Sequence, residues 1–385
     1  MLYLRTIQIV VTKKEGKKVS TRIYNFSAGP AYLADEVIKT IAANLYDYNS
    51  SGLGMIEMSH RGPEFEALIG ETESLLRRLL GIPEDYAVLF TTGGATNQFS
   101  MVPMNLLAPG TVGNYLLSGV WAEKALEEGR KFGETHIAGS TKDIGYKKVP
   151  DLVQLSPKAS FLHYTSNNTV IGTQSHSEPN NKDEKGNAIP LICDASSDLL
   201  HKKIDVTKYG LIYAGAQKNI GTAGVTLIIA NKELLASAAK SASKLPIMLD
   251  YSTYSKNASL YNTPPTFSIY VVCEVLRWIE KTGGLKAMEE RNKEKASLLY
   301  AALDRLSHFY EPCVDVGSRS LMNVTFRIKD RSLEEQFLKK AEQLKLSGLR
   351  GHRFVGGIRA SLYNAFPIAG VKALITHMEE FAGRF

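Results

Sequence analysis

The sequence predicts an α/β protein, a large domain on a mostly parallel sheet followed by a smaller C-terminal α+β domain. Three observations predict it. Short runs rich in Val, Ile and Leu recur without strict alternation, as expected of strands buried on both faces of a parallel sheet. Amphipathic helical stretches separate several of these runs, the rhythm of βαβ units. At Pro264-Pro265 that rhythm breaks, and two long helices followed by scattered strands take over.

Taken in order, a helix is predicted over 34–48, with Val37, Ile41, Leu45 and Tyr48 at helical spacing. Pro63 opens a second helix, whose apolar positions Phe65, Leu68, Ile69, Leu75, Leu76 and Leu79 run to a stop at Gly81. The run 86–90 reads as a strand, followed by Gly93-Gly94 and another helical stretch. Further strands are expected at 112–117, 160–164, 191–193, 211–214 and 225–229, mostly unalternating runs that fit parallel strands, with a helix over 121–132. Beyond the double proline come helices over 267–281 and 285–306 and a strand over 322–328. Helix, strand and helix follow at 333–345, 357–362 and 371–381, and 179–185 reads as a polar surface loop. The domains are therefore drawn as a basic extension over 1–22, a large domain over 23–265 and a small domain over 266–385. The first residues of the large domain contribute to the small one.

Composition narrows the function. With 385 residues, 44% hydrophobic and 22% charged, the chain is long enough for two domains and too apolar for wholesale disorder. Its longest apolar stretches are too short to span a bilayer, which argues against a membrane role. Cys193, Cys273 and Cys313 lie far apart with no CxxC pair, so no disulfide framework, zinc ribbon or other metal site is indicated. A reducing, cytoplasmic setting is expected. Of the net charge of +7, five units sit in residues 1–22, where six basic residues face Glu15 alone. The near-neutral remainder lacks basic patches interleaved with aromatics, which argues against nucleic acid as a partner. The leader has no small-residue cleavage site for secretion. Its shortage of acids weakly resembles an organelle transit peptide, but it is read here as an extension or a mis-assigned start.

Three local features carry chemistry. Lys218 lies just beyond a buried strand, where open α/β sheets place their ligands, with Gly215 and Gly221 leaving room near the backbone. On spacing alone a solvated loop lysine is the more ordinary reading. Asp194 ends the run Pro190-Leu-Ile-Cys193 one strand earlier, so a carboxylate and an amine stand at successive strand ends. Such a pair suits the two poles of a pyridoxal ring, although Asp194 could instead cap a turn with Ser196 or Ser197. The stretch Thr91-Thr-Gly-Gly-Ala95-Thr96-Asn-Gln98 joins a strand to a helix whose first amides suit a phosphate. It lacks the Walker lysine and the dinucleotide fingerprint. Trp121 fits either stacking on a planar cofactor or a core role. The units His60-Arg61 and His352-Arg353, with Arg359 beyond, suit a dianionic phosphate plus a carboxylate, or ordinary surface ion pairs taken singly.

Together these segments resemble the phosphoserine aminotransferase family, fold-type I pyridoxal-phosphate enzymes of the class V group. The resemblance runs from about residue 24 to the C-terminus. It rests on Asn25-Phe-Ser-Ala-Gly-Pro30, Met58-Ser-His-Arg-Gly62, Tyr209-Gly-Leu-Ile-Tyr-Ala-Gly-Ala-Gln-Lys-Asn-Ile-Gly221, Tyr261-Asn-Thr-Pro-Pro-Thr-Phe267 and Gly351-His-Arg-Phe-Val-Gly-Gly-Ile-Arg-Ala-Ser361. It implies pyridoxal 5′-phosphate held by Lys218 through a Schiff base, with Asp194 on the pyridinium nitrogen, Trp121 on the ring and Thr169 at its edge. The Ala95-Thr96 turn and Gln217 would hold the cofactor phosphate, completed by Asn262 and Thr263 of a second subunit in a homodimer. Arg359 would take the substrate carboxylate, and His60, Arg61, His352 and Arg353 would surround the substrate phosphate. The implied reaction is ping-pong transamination of 3-phosphohydroxypyruvate by glutamate in serine biosynthesis. Some bacterial members extend it to a four-carbon phosphorylated keto acid. A related alanine–glyoxylate type enzyme would need no such His-Arg pairs. The chain departs from the family pattern at Thr96, where many bacterial members have Arg, and at Asn168, where Glu is frequent.

Overall fold

A computed structural model describes residues 22–241, 245–353 and 355–385. Of the basic leader only Arg22 is described. Its Nη1 donates to Leu33 O at 2.8 Å and it pairs with Asp35; the reading of residues 1–21 lies outside the described residues.

The chain begins with β1 (Tyr24–Asn25), α1 (Asp35–Asn44), α2 (Pro63–Leu80), β2 (Tyr86–Thr92), α3 (Ala95–Leu106), β3 (Val112–Leu117) and α4 (Val120–Gly129). It continues through β4 (Glu134–Ser140), β5 (Ala159–Thr165), β6 (Leu191–Asp194), β7 (Leu211–Gly215), β8 (Val225–Asn231), α5 (Lys232–Ser241), α6 (Tyr251–Lys256) and α7 (Thr266–Lys281). The last part holds α8 (Gly284–Arg305), β9 (Tyr310–Pro312), β10 (Asn323–Ile328), α9 (Glu334–Gln343), β11 (Leu346–Ser347), β12 (Ile358–Ser361) and α10 (Ile368–Ala382). The limits of α2 follow from its sequence. Pro63 supplies a preset φ at the first turn beside Glu64 and Glu66, and Gly81 takes φ 70° and returns its N–H to Arg77 O.

Seven strands form the main sheet in the order β2-β8-β7-β6-β5-β3-β4. The pairs from β7 to β4 are parallel, but β8 runs antiparallel to both β2 and β7. The expectation that 225–229 is a parallel strand is thus corrected. The segment 216–224 between β7 and β8 contains no helix, and a parallel return needs a crossover of about a dozen residues or more. β4 was not anticipated. It is an edge strand whose Ile137 is 42% exposed, so its sequence carries no buried apolar run.

The main sheet buries one apolar cluster on each face against its helices, together the larger core, and a three-stranded antiparallel sheet, β12-β10-β9, organises a third cluster, the smaller core, with α9 and α10. Phe26 joins this smaller core and β1 pairs with β11. The division at residues 265/266 does not match the packing. Ile269, Tyr270, Val272 and Leu276 of α7 lie in the large core with Phe65 and Leu76 of α2. The double proline sets the start of α7, with Pro265 at its N-cap, rather than a domain edge. α8 then spans both cores, with Leu285 and Met288 in the larger and Ala296, Leu299 and Leu303 in the smaller.

Candidate active site

A cavity of about 300 Å³ opens at the carboxyl ends of β2, β3, β5, β6 and β7, the edge where open α/β sheets place ligands. Asp194, the last residue of β6, is 5% exposed. Its Oδ1 accepts from Ser196 N at 3.0 Å and Ser196 Oγ at 2.6 Å, so the turn-capping reading of Asp194 holds. Among the described residues no hydrogen bond uses Oδ2, which is left for a ligand. Burial pushes this carboxyl up, opposed by the charge of Lys218 and by the Ser196 bonds.

Lys218 projects from the short return between β7 and β8 into the same cavity. Burial pushes its amine down; Asp194 opposes that shift and Arg359 adds to it. A lowered lysine is a better nucleophile and proton carrier near neutral pH. Gly29 holds the opposite wall at φ 153°, where an added Cβ would stand 3.3 Å from Lys218 Cγ. That wall is fastened by Ala31 N, which donates to Gln217 O at 3.0 Å.

Trp121, in the first turn of α4, faces the lysine, whose Nζ lies 5.5 Å from the ring centroid. The indole N–H donates to Thr169 Oγ1 at 3.1 Å, which fixes the ring plane. Thr169 O in turn accepts from Arg359 Nη1 at 3.1 Å. Asn168 beside it donates to Ser118 O at 2.8 Å and accepts from Val170 N at 3.0 Å, bracing the turn below the tryptophan.

Arg359, on β12, crosses from the smaller core into the cavity. Its Nε is buried without a partner, and burial pushes the guanidinium down. No ion pair to it occurs among the described residues. His352 also lines the cavity; burial and then the charges of Arg359, Arg353 and Lys124 push its imidazole down. At the far side, Gly94, Ala95 and Thr96 open α3, and their position offers helix-start amides to an anion.

Of the residues singled out from sequence, the fold brings Ala95, Thr96, Trp121, Thr169, Asp194, Gln217, Lys218, His352 and Arg359 around one cavity. It does not bring Arg353, His60, Arg61, Asn262 or Thr263 to that lining. Asn262 and Thr263 are exposed ahead of α7, Arg61 is exposed, and His60 is half-buried with Nε2 unpartnered. Sequence reasoning gave no role to Ala28, Gly29 or Phe99, which complete the lining with Gly94 and Ser196. The segment Asn25-Phe-Ser-Ala-Gly-Pro30 was the visible signal of the first two.

A strand-end lysine paired with a buried carboxylate is a transaminase-like arrangement. The family model described as aminotransferase class-V matches residues 23–374, and the chain belongs to that family. Its similarity is narrower still. It is 48% identical to phosphoserine aminotransferase of Niallia circulans, over 94% of this chain and 99% of that protein. The solved phosphoserine aminotransferase of Bacillus circulans subsp. alkalophilus superposes with a TM-score of 0.90 at 48% identity, covering 94% and 99% of the two chains. A PLP-bound phosphoserine aminotransferase from Trichomonas vaginalis gives a TM-score of 0.85 at 36% identity, covering 93% and 100%. These likenesses over nearly whole lengths place the chain among the phosphoserine aminotransferases, with the fold-type I architecture.

Proposed function

We propose that the chain acts as a pyridoxal 5′-phosphate-dependent homodimer that moves the amino group of L-glutamate to 3-phosphohydroxypyruvate. The products are 2-oxoglutarate and O-phospho-L-serine, in L-serine biosynthesis. The observation that carries this reading is the Arg359 guanidinium, unpaired with any acid among the described residues and aimed into the Lys218–Asp194 cavity beside His352. A guanidinium without its own carboxylate suits a substrate carboxylate in forked geometry.

The residues fit the cofactor. Asp194 Oδ2 suits a protonated ring nitrogen, Trp121 the ring face, Thr169 its edge, and the α3 start with Ala95, Thr96 and Gln217 a phosphate. When bound, the cofactor supplies an electron sink for the substrate α-carbon. Lys218 then carries the proton to and from that carbon, and Arg359 holds the substrate carboxylate so that the carbon stays within reach. His352 and Arg353 take the substrate phosphate. Asn262 and Thr263 are exposed and away from the cavity of their own chain, as residues serving a second subunit's cofactor phosphate would be. His60 and Arg61 lie off that cavity too and reach a phosphate only across such a contact. No helix among the described residues is long and apolar enough to cross a membrane, and we assign the cytoplasm as the working compartment.

The test is turnover by purified holoprotein with glutamate and 3-phosphohydroxypyruvate, beside pyruvate as the unphosphorylated acceptor. Selective use of the phosphorylated acid is expected, with borohydride reduction labelling the Lys218 peptide. Equal use of pyruvate, or a label elsewhere, overturns the reading.

A further inference from the structure

Asn219, next to the candidate catalytic lysine, is buried. Its Oδ1 accepts the N–H of Asn364 at 2.9 Å and its Nδ2 donates to Leu199 O at 2.7 Å. Asn364 stands just beyond β12, the strand that carries Arg359. Its own side chain donates to Leu200 O at 2.9 Å and accepts from Asn292 of α8 at 2.7 Å. The turn after β12 is thereby latched to the return that carries Lys218.

Under this latch lies Lys295, fully buried at the point where α8 passes from one core to the other. Its Nζ donates to the carbonyl oxygens of Leu362 and Tyr363 at 2.6 Å each, with Asn364 O at 3.5 Å. The charge that acts on it most among the described residues is Arg291, of the same sign. Burial, and then Arg291, push this amine well down, so its charged form is costly here, and a hydrophobic residue of similar length would fill the space at lower cost. Its hydrogen bonds to these carbonyls offset part of that cost and fix residues 362–364. From there Tyr363 OH reaches Ala28 O at 2.8 Å, on the cavity wall.

We propose that Lys295, Asn364 and Asn219 form a brace that sets the spacing between Lys218 and Arg359. They are positioning residues for transamination, and the inference rests on that reading of the site. The substrate must reach Lys218 with its α-carbon while its carboxylate sits on Arg359, and these two groups belong to different sheets. The tip of Arg359 is fixed by Thr169 O; the brace fixes the base of its strand. Misplacement by about 1 Å costs on the order of a hundredfold in rate.

The experiment is a double-mutant cycle on cofactor-loaded enzyme with Lys295→Met, Asn219→Ala and the pair. Each single variant is expected to lower kcat/KM for glutamate and for the phosphorylated acceptor about tenfold, mainly through KM, with the Lys218 label retained. The pair is expected to be no worse than the poorer single, since both cut one device. Amide exchange at Asn364 should quicken in both singles. Unchanged kcat/KM with only a lowered Tm, or losses that multiply in the pair, overturns the brace. If Lys295→Met does not fold, Asn364→Ser with Asn219→Ala forms the cycle, read by the same outcomes. Should wild-type enzyme ignore phosphorylated acceptors, the functional reading fails separately. The brace is then judged by calorimetric affinity for 2-oxoglutarate, expected to weaken about tenfold in each single variant and overturned by unchanged affinity.

Discussion

Arg359 and Arg353 differ in the work their positions allow. Arg359 reaches into the cavity from β12, whereas Arg353 is exposed off the lining, where its charge acts on His352. Glutamate and the keto acid share a carboxylate, but only the latter carries phosphate. Arg359→Ala should therefore damage both half-reactions by about two to three orders of magnitude, the usual cost of removing one partner from a buried charged pair. Arg353→Ala should impair the phosphorylated acceptor at least tenfold while leaving the glutamate half-reaction within about twofold. Single-turnover kinetics of each half check both, and equal losses for Arg353→Ala would remove its phosphate role. At this scale the two sequence readings of Asp194 prove compatible, because one oxygen caps the Ser196 turn and the other faces the cavity.

The loop 351–357 shows how an element holds site residues. Gly351 N donates to Gly357 O at 2.8 Å and Gly356 N to His352 O at 2.8 Å, closing a tight loop around His352 and Arg353. A Cβ on Gly351 would stand 2.0 Å from Gly356 O, a backbone atom that cannot swing aside. Gly351→Ala should open the loop, raising KM for the phosphorylated acceptor about tenfold with much less effect on glutamate. Tm should move only a few degrees, because among the loop's described residues only Val355 packs against a core. Steady-state kinetics beside a thermal melt decide it. The elements legible in the sequence were those with buried, periodic faces: α2 with its proline and glycine limits, and the strands β3, β5, β6 and β7. Those missed lacked such a face, like the edge strand β4, or depended on direction, like β8. Lys218 and Asp194 were legible as strand-end residues. Ala28 and Gly29 were not given a role, because tertiary bonds bring them to the cavity: Ala31 N to Gln217 O and Tyr363 OH to Ala28 O.

The whole molecule titrates through histidines that its cores keep neutral. His163 on β5 is 1% exposed, bonded through Nε2 to Tyr213 OH at 2.8 Å, with Nδ1 unpartnered. Burial pushes its imidazole from 6.5 down to about 3. The unfolded chain therefore binds a proton below 6.5 that the folded chain refuses. Stability contributed by this residue is intact above pH 6.5 and falls by up to about 1.4 kcal/mol per unit as pH drops toward 3. Buried His201 and His377 are shifted the same way. Denaturant melts from pH 7.5 to 4.5 should show this slope, and His163→Gln should flatten it by one proton's worth; an unchanged slope would show that His163 does not drive it.

The helix α8 gives the molecule one more property. Its 22 residues make a rod of about 33 Å, with one end set in each core. A stiff beam shared by two bodies couples their tilts, so a rotation of one degree at either end sweeps the other by about half an ångström. Any rocking of one half against the other is therefore geared through this shaft, and it passes beneath the turn that follows Arg359.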